Sequence, residues 1–187
     1  MLTFIIGTSG SGKTTFANKY FGENNAVVSI TTRPKRVGEV EGVDYYFVDE
    51  STFHELDSKG LLGEKTYYAG NYYGITKEEL KNKAIQPNSF SLVDYHGYRQ
   101  LVGIMDEMGI SYQVLYFTID EATVRERLTK RGDKPEDIER RMKQINVDEY
   151  NNRGLYNDPN CLIIDATGDI EDVYDKYLQL KKKRGNS

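Results

Sequence analysis

The sequence is poor in the residues that mark secreted and membrane proteins. Its 187 residues include one cysteine, four prolines and no tryptophan. One thiol cannot form an intramolecular disulfide, which excludes a disulfide-stapled fold. Cys161 begins an apolar run, where we expect a buried and unreactive thiol. No apolar stretch approaches the length of a membrane span, and no charged, cleavable leader opens the chain. We therefore expect no membrane association and a cytoplasmic location.

The chain also lacks an excess of positive charge. Its 25 lysines and arginines are outnumbered by 29 acidic residues, which gives a net charge of -4. Proteins that bind long nucleic acids usually present a basic face, so this class is not expected. Seven of the ten arginines are instead grouped within residues 33–36 and 125–141. Two basic clusters in an acidic chain favour a small polyanion as ligand.

A phosphate-binding pattern, GTSGSGKT, occupies residues 7–14. Its glycines let backbone N–H groups turn around a phosphate, and Lys13 supplies a mobile cation. Thr14 offers a hydroxyl to Mg²⁺. A buried strand over residues 2–6 and a helix over 13–20 are the context that supports the pattern. It predicts that ATP binds to Gly7, Ser9, Gly10, Ser11, Gly12, Lys13, Thr14 and Thr15.

Alternating strand and helix patterns predict the fold class. Apolar runs interspersed with amphipathic segments indicate a doubly wound α/β domain with a parallel sheet. The predicted core comprises residues 1–32 and 86–187, with a helical lid at about 125–145. A small α+β insertion is expected over 33–85. The predicted strands cover 2–6, 26–30, 89–93, 112–119 and 161–164.

The insertion carries its own local signals. Alternating residues over 44–48 predict an antiparallel strand, and Ser51 is the expected cap of a helix that ends at Lys59. Thr76 followed by Glu79 is a capping-box pattern that predicts a helix over 77–84.

The lid prediction rests on the sequence Gly-Asp-Lys-Pro at residues 132–135, which interrupts two arginine-rich helices. Such a segment can close over phosphates as a flap. The alternative is a charged surface hairpin held by pairs such as Glu136 with Arg140.

A longer set of residues resembles the signature of guanylate kinases. The similarity begins with SITTRPKRVGE at residues 29–39 and continues through GNYYG at 70–74 to the arginines of the lid. The resemblance spans nearly the whole chain. It implies a core, a GMP-binding insertion and a lid, and phosphoryl transfer from ATP to GMP or dGMP with Mg²⁺ as cofactor.

The resemblance also implies residue roles. Lys13, Arg131 and Arg141 take the catalytic positions. Two carboxylates, Glu64 and Asp94, fall where guanine is recognised, and they suit it because guanine presents N1–H and a 2-amino group as adjacent donors. The other acceptor-site positions, at the monophosphate and the base edge, are Ser29, Arg33, Arg36, Tyr45 and Tyr73.

Two departures keep alternatives open. Ile75 stands where the family usually has a serine or threonine, and Leu92 stands where it tends to have an acid. The same chemistry on another nucleoside monophosphate or a phosphosugar is one alternative, and a non-catalytic protein-binding module is another. Asp94 serves either the base or, through water, Mg²⁺. The expected assembly is a monomer or homodimer.

Overall fold

The computed structural model describes residues 1–68 and 70–185, which form two compact units. The first unit comprises residues 1–2 and 22–112, and the second comprises 3–21 and 113–187. Ala69 of the predicted insertion, and Asn186 and Ser187 of the predicted core, lie outside the described residues. The elements in chain order are β1 (Leu2–Gly7), α1 (Lys13–Ala17), β2 (Ile30–Thr31), β3 (Tyr46–Phe47), α2 (Glu50–Ser58), β4 (Leu62–Tyr68), β5 (Asn71–Thr76), α3 (Lys77–Ala84), β6 (Phe90–Leu92), α4 (Tyr95–Glu107), β7 (Tyr112–Thr118), α5 (Glu121–Arg131), α6 (Pro135–Asn151), β8 (Cys161–Asp165) and α7 (Ile170–Gly185).

The first unit is organised around a sheet in the order β3-β2-β5-β4. Strands β4 and β5 form an antiparallel hairpin in which Thr66 lies opposite Tyr73. Phe53 of α2 packs against this sheet and stacks on Tyr72, with ring centroids 5.1 Å apart. Leu101 of α4 is fully buried beside the hairpin. The hairpin therefore has an apolar support, which leaves other side chains of β4 available for a site.

In the second unit, β1, β7 and β8 are neighbours in one sheet. Strands β7 and β8 pair in parallel from Val114 opposite Cys161 to Thr118 opposite Asp165. Parallel pairing requires a long crossover connection, and here α5 and α6 lie between the two strands in the chain. This arrangement confirms the predicted α/β class with a parallel sheet.

The predicted lid helices α5 and α6 are both present and share an apolar cluster. Asp120 caps α5 by accepting a hydrogen bond from Thr123 N at 2.8 Å, and Pro135 occupies the first turn of α6. The cluster consists of Val124, Leu128, Ile138, Met142 and Ile145. Arg140 pairs with Asp137 at 2.6 Å rather than with Glu136 as the surface-hairpin alternative supposed.

The first helix is shorter than predicted. Its α-helical part ends at Ala17, and residues 18–22 continue as a π-helical turn. Aromatic side chains pack closely at this wider turn. Tyr20 stacks on Tyr174 with ring centroids 3.8 Å apart. Phe16 makes an edge contact with Phe117 of β7 at 5.1 Å. These tertiary contacts outweigh the local preference for an α-helix.

The strand predictions for residues 26–30 and 44–48 are partly wrong. The regular part of β2 is two residues long, and β3 pairs with it in parallel rather than antiparallel. Tyr46 N donates to Ser29 O at 2.9 Å and Val48 N donates to Thr31 O at 3.0 Å. Alternation identifies a strand but not its direction, which the long connection between β2 and β3 decides.

The cap of α2 is Asp49 rather than the predicted Ser51. The Asp49 carboxylate accepts from Thr52 N at 2.7 Å, and Ser51 Oγ itself donates to Asp49 at 2.8 Å. The carboxylate is the better acceptor for a helix N-terminus. Ser51 therefore reinforces the cap.

The Thr76 cap of α3 is confirmed. Glu79 N donates to Thr76 Oγ1 at 3.1 Å. The Glu79 carboxylate accepts from Val28 N at 2.9 Å and is buried there. Thr76 therefore caps α3, whereas the Glu79 side chain bonds to a distant segment of the first unit.

Cys161 is only half-buried, and burial raises the pKa of its thiol to about 12.

Within residues 1–68 and 70–185, no helix has the length and apolar character needed to cross a bilayer.

Candidate active site

The phosphate-binding loop and α5 enclose a cavity of about 330 Å³ in the second unit, here called the loop cavity. Six of the predicted ATP-binding residues line it, and Gly7 and Ser11 belong to the loop but do not line the cavity. Arg131 lines it from the end of α5. The lining residues are Ser9, Gly10, Gly12, Lys13, Thr14, Thr15, Arg127, Leu128 and Arg131.

Two glycines explain how the loop reaches its shape. A Cβ on Gly7 would lie 2.7 Å from Phe117 O, so that no larger residue fits where β1 passes β7. Gly12 has φ +87 at the start of α1, in the left-handed region that side chains disfavour. Ser11 Oγ donates to Thr8 O at 2.8 Å and holds the loop together from within. The loop is therefore preorganised by its glycines and by an internal side-chain hydrogen bond.

Lys13 folds over the loop. Its Nζ donates to Gly7 O at 2.6 Å, to Thr8 O at 2.7 Å and to Ser11 Oγ at 3.3 Å. Burial lowers the pKa of Lys13 to about 8, and the carboxylate of Asp148 opposes this shift. Asp148 is held near the loop because Thr8 Oγ1 donates to it at 3.1 Å. Asp148 was not predicted from the sequence. Its position seven residues after Arg141, which puts both on one face of α6, was the available signal.

The two predicted catalytic arginines meet at one carboxylate. Arg131 donates to both oxygens of Asp133, with 2.6 Å between Nε and Oδ1. Arg141 Nε lies 3.6 Å from Asp133 Oδ2, and Arg141 Nη1 donates to Ser9 Oγ of the loop. The hydrogen bond to Arg131 lowers the pKa of the Asp133 carboxyl. The structure thus brings Arg131 and Arg141 together beside the loop.

Arg127 is a further residue of this site, and its role was not predicted from the sequence. Its Nη2 donates to the carbonyls of Ala166, Thr167 and Gly168 at 2.9, 3.3 and 2.7 Å. Its Nη1 donates to Gly10 O at 3.4 Å. One guanidinium therefore ties the loop to the segment after β8. Its spacing of four residues from Arg131, which places both on one face of α5, was the available signal.

A second cavity, of about 280 Å³, lies in the first unit and is here called the carboxylate cavity. Strand β4 supplies Glu64, and the N-terminus of α4 supplies Asp94. Most of the predicted acceptor-site residues line it. The lining residues are Ser29, Tyr45, Glu64, Thr66, Tyr68, Tyr73, Ile75, Leu92, Val93, Asp94 and Gly97.

The two carboxylates approach one point of α4. Asp94 Oδ1 caps the helix by accepting from Gly97 N at 2.7 Å. A Cβ on Gly97 would lie 3.4 Å from Asp94 Oδ1 and 3.6 Å from Glu64 Oε1. Burial, and secondarily the charge of Asp94, raises the pKa of Glu64 to about 7. Among the described residues, no cation pairs with Glu64, so the cavity holds a desolvated acceptor.

The predicted monophosphate residues are only partly brought together. The Arg33 guanidinium lies over the ring of Tyr45 at 5.4 Å, and the rings of Tyr45 and Tyr73 are 6.1 Å apart. Arg33 Nη2 pairs with Glu39 at 2.6 Å, with both side chains largely buried. Arg36 is exposed and lines neither cavity, and its backbone N donates to Glu39 Oε2 at 2.8 Å.

The donors available for a metal ion are few. In the part of the chain that the structure describes, no group of three histidine, cysteine or acidic residues is arranged to hold one. Thr14 is exposed on the wall of the loop cavity, next to Lys13. A single hydroxyl oxygen suits Mg²⁺, which keeps most of its ligands as water and phosphate oxygens.

Comparison with known proteins points to the same family as the resemblance seen in the sequence. A family model described as guanylate kinase matches residues 2–176. A guanylate kinase of Anaplasma phagocytophilum is 40% identical over 149 residues, covering 76% of this chain and 70% of that protein. A guanylate kinase of Mycoplasmoides gallisepticum is 30% identical over 185 residues, covering 97% and 92%.

Solved structures agree with these matches. The crystal structure of the guanylate kinase from Anaplasma phagocytophilum aligns with a TM-score of 0.60 at 26% identity, over 98% of this chain and 85% of that one. A gluconokinase from Sinorhizobium meliloti shares the fold alone, with a TM-score of 0.52 at 12% identity over 98% and 93% of the two chains. The resemblance predicted from the sequence is confirmed, and the chain belongs to the guanylate kinase family.

Proposed function

We propose that this protein transfers the γ-phosphoryl group of ATP to GMP or dGMP, giving ADP and GDP or dGDP. The observation that carries the proposal is the pair of complementary cavities. The loop cavity is lined by cations, and the carboxylate cavity presents two acceptors. A triphosphate needs the first kind of site and guanine needs the second. Family membership supports the same assignment.

On the donor side, Lys13 leaves the loop carbonyls and binds the outer phosphates of ATP. Each of its hydrogen bonds to Gly7 and Thr8 is local, so that the flexible side chain can exchange them for phosphate oxygens without disturbing the fold. Arg131 and Arg141 neutralise charge that develops on the transferring group.

On the acceptor side, the carboxylate of Glu64 accepts from guanine N1–H and the 2-amino group. Adenine presents a lone pair at N1, so that a buried carboxylate would face it without a hydrogen bond, at a cost of about 1–3 kcal/mol. Asp94 lies beside Glu64, and the Asp94 carboxylate caps α4. This position supports a role for Asp94 at the base rather than at a metal. Arg33, Arg36, Tyr45 and Tyr73 bind the monophosphate, and Ser29 contacts the base edge.

Thr14 would hold Mg²⁺ together with phosphate oxygens and water. The ion, when bound, lowers the charge on the phosphates that the chain must neutralise. The residues of the chain provide the positioning: the loop fixes the phosphates, and the guanidiniums approach from α5 and α6. The acceptor phosphate is already anionic, so that no strong general base is required. We expect the protein to act in the cytoplasm, where a lone free thiol is stable.

The test is ADP production from ATP with each of GMP, dGMP, AMP, CMP and UMP as acceptor. Rapid turnover with GMP and dGMP, and little with the other three, is expected. Preference for another acceptor would contradict the assignment of the carboxylate cavity. No ATP binding by calorimetry in the presence of Mg²⁺ would instead favour a non-catalytic binding module.

A further inference from the structure

The turn between α5 and α6 contains an acidic residue with an unusual environment. Asp133 N donates to Leu128 O at 3.1 Å, and Gly132 N donates to Thr129 O at 3.0 Å. These bonds fix the turn to the end of α5, and Pro135 starts α6 two residues later. The Asp133 side chain is only 13% exposed. An acidic residue in a short surface turn is ordinarily well solvated, so its burial needs an explanation.

The explanation is that Asp133 contacts a guanidinium from each helix. Arg131 of α5 makes a two-pronged pair through Nε and Nη2, and Arg141 of α6 brings its Nε to 3.6 Å. Arg141 Nε is buried and has no hydrogen-bond partner among the described residues. The carboxylate of Asp133 is therefore the negative charge that faces this nitrogen.

The geometry leaves the outer part of each guanidinium for the loop cavity. The pair with Asp133 uses the Nε and Nη2 side of Arg131, so that Nη1 remains to bind a ligand where Arg131 lines the cavity. Arg141 points its Nη1 at Ser9 Oγ in the loop. Two guanidiniums this close repel each other, and one carboxylate between them removes much of that repulsion.

We propose that Asp133 is a positioning residue that holds Arg131 and Arg141 ready for the transferring phosphoryl group. It acts through the two arginines and does not itself touch the nucleotide. The inference rests on the proposed function, because it assigns Asp133 to the transfer step. A preorganised pair of cations costs no rearrangement at the moment of transfer. Without the carboxylate, the guanidiniums separate and must be brought together in each cycle.

A matched control lies in the first turn of α6. Asp137 pairs with Arg140 at 2.6 Å, and the two side chains are 36% and 75% exposed. This pair has the same chemistry on the same lid but does not touch the loop cavity. Asp137→Asn therefore removes an acid–arginine pair without affecting the proposed arrangement.

The experiment compares kcat and KM of the whole enzyme for Asp133→Asn, Asp133→Glu and Asp137→Asn. We expect Asp133→Asn to lower kcat by about tenfold or more while KM for ATP and for GMP changes by less than about threefold, which is the pattern of an interaction made in the transition state. Asp133→Glu keeps the charge and should recover part of kcat. Asp137→Asn should match the wild type.

A binding measurement separates positioning from folding. Aluminium fluoride with ADP and GMP mimics the transferring group, and its affinity should fall in Asp133→Asn while that of ADP alone is unchanged. Thermal melting checks that the variant is folded, and Asp133→Ser replaces it if it is not. Unchanged kcat, or equal loss of affinity for ADP and for the mimic, would overturn the inference. Failure of the wild type to form GDP would instead overturn the proposed function, and this inference with it.

Discussion

The loop cavity and the carboxylate cavity differ in how the chain builds them. Most of the loop cavity comes from one continuous stretch, residues 9–15, with α5 completing the wall. The carboxylate cavity draws its wall from β4, β5, β6, α4 with the residues just before it, and the segments around Ser29 and Tyr45. A site made from one stretch is encoded by a short motif. A site assembled from several segments depends on the tertiary fold.

The electrostatics of the two cavities are also opposite. In the loop cavity, burial lowers the pKa of a cation, Lys13, to about 8. In the carboxylate cavity, burial raises the pKa of an acid, Glu64, to about 7. Each group is desolvated and will gain from a ligand of complementary character. The following predictions test whether the two cavities serve ATP and GMP separately.

The largest effect is expected from Lys13→Ala. Loss of the mobile cation should reduce phosphoryl transfer by at least about a thousandfold, because the outer phosphates lose the positive charge that Lys13 brings to them. Thermal melting should show an intact fold. Lys19→Ala is the matched control, because Lys19 is exposed and pairs with Glu171 on the surface. Retained turnover in Lys13→Ala would remove the loop from the mechanism.

Glu64→Gln should have the next largest effect. An amide presents one donor group and one acceptor, so that it cannot accept both guanine donors, and kcat/KM for GMP should fall by about a hundredfold. KM for ATP should be unchanged. Glu78→Gln, an exposed change in the same unit, serves as the control. Equal loss for both substrates would mean that the two cavities are not separate in function.

Thr14→Ala should change how much Mg²⁺ the enzyme requires. Loss of the hydroxyl should raise the Mg²⁺ concentration for half-maximal activity by about tenfold, because one oxygen ligand is lost. Thr14→Ser, which keeps the hydroxyl, is expected to behave as the wild type. An unchanged Mg²⁺ requirement in Thr14→Ala would exclude Thr14 as a ligand.

The smallest effect concerns pH. Glu64 must be ionised to accept from guanine, so that GMP affinity should rise severalfold as the pH increases through about 7. Protein stability should change in the opposite direction. The folded protein holds a proton on Glu64 between the ordinary pKa of 4.5 and about 7, so the free energy of unfolding falls as pH rises through that window. In Glu64→Gln both dependences should weaken, and their persistence would assign them to another group.

The same contrast, between a site made from one stretch and a site assembled from several segments, determines how much of the structure could be predicted from the sequence. The phosphate-binding motif identified the loop residues and the strand before them, because its geometry is local. Thr76 was correctly predicted as a cap for the same reason. The parallel direction of β3 could not be predicted, because it depends on a connection without a strong local pattern.

Other features depend on contacts between distant residues. Glu79 bonds to Val28, and Asp148 bonds to Thr8 across 140 positions of the chain. The sequence did not indicate a role for Asp133, because only the folded turn shows that its carboxylate contacts two arginines. The positions of Glu64 and Asp94 came from resemblance to a family rather than from spacing. The roles of the individual site residues remain predictions until variants are measured.

If each nucleotide has its own cavity, calorimetric titration of ATP with Mg²⁺, and of GMP, should distinguish variants of the two cavities. The titrations would use the wild type, Lys13→Ala and Glu64→Gln. We expect a crossed pattern, in which Lys13→Ala loses affinity for ATP and keeps it for GMP, and Glu64→Gln does the reverse. Variants that each lose both ligands, or neither, would contradict it.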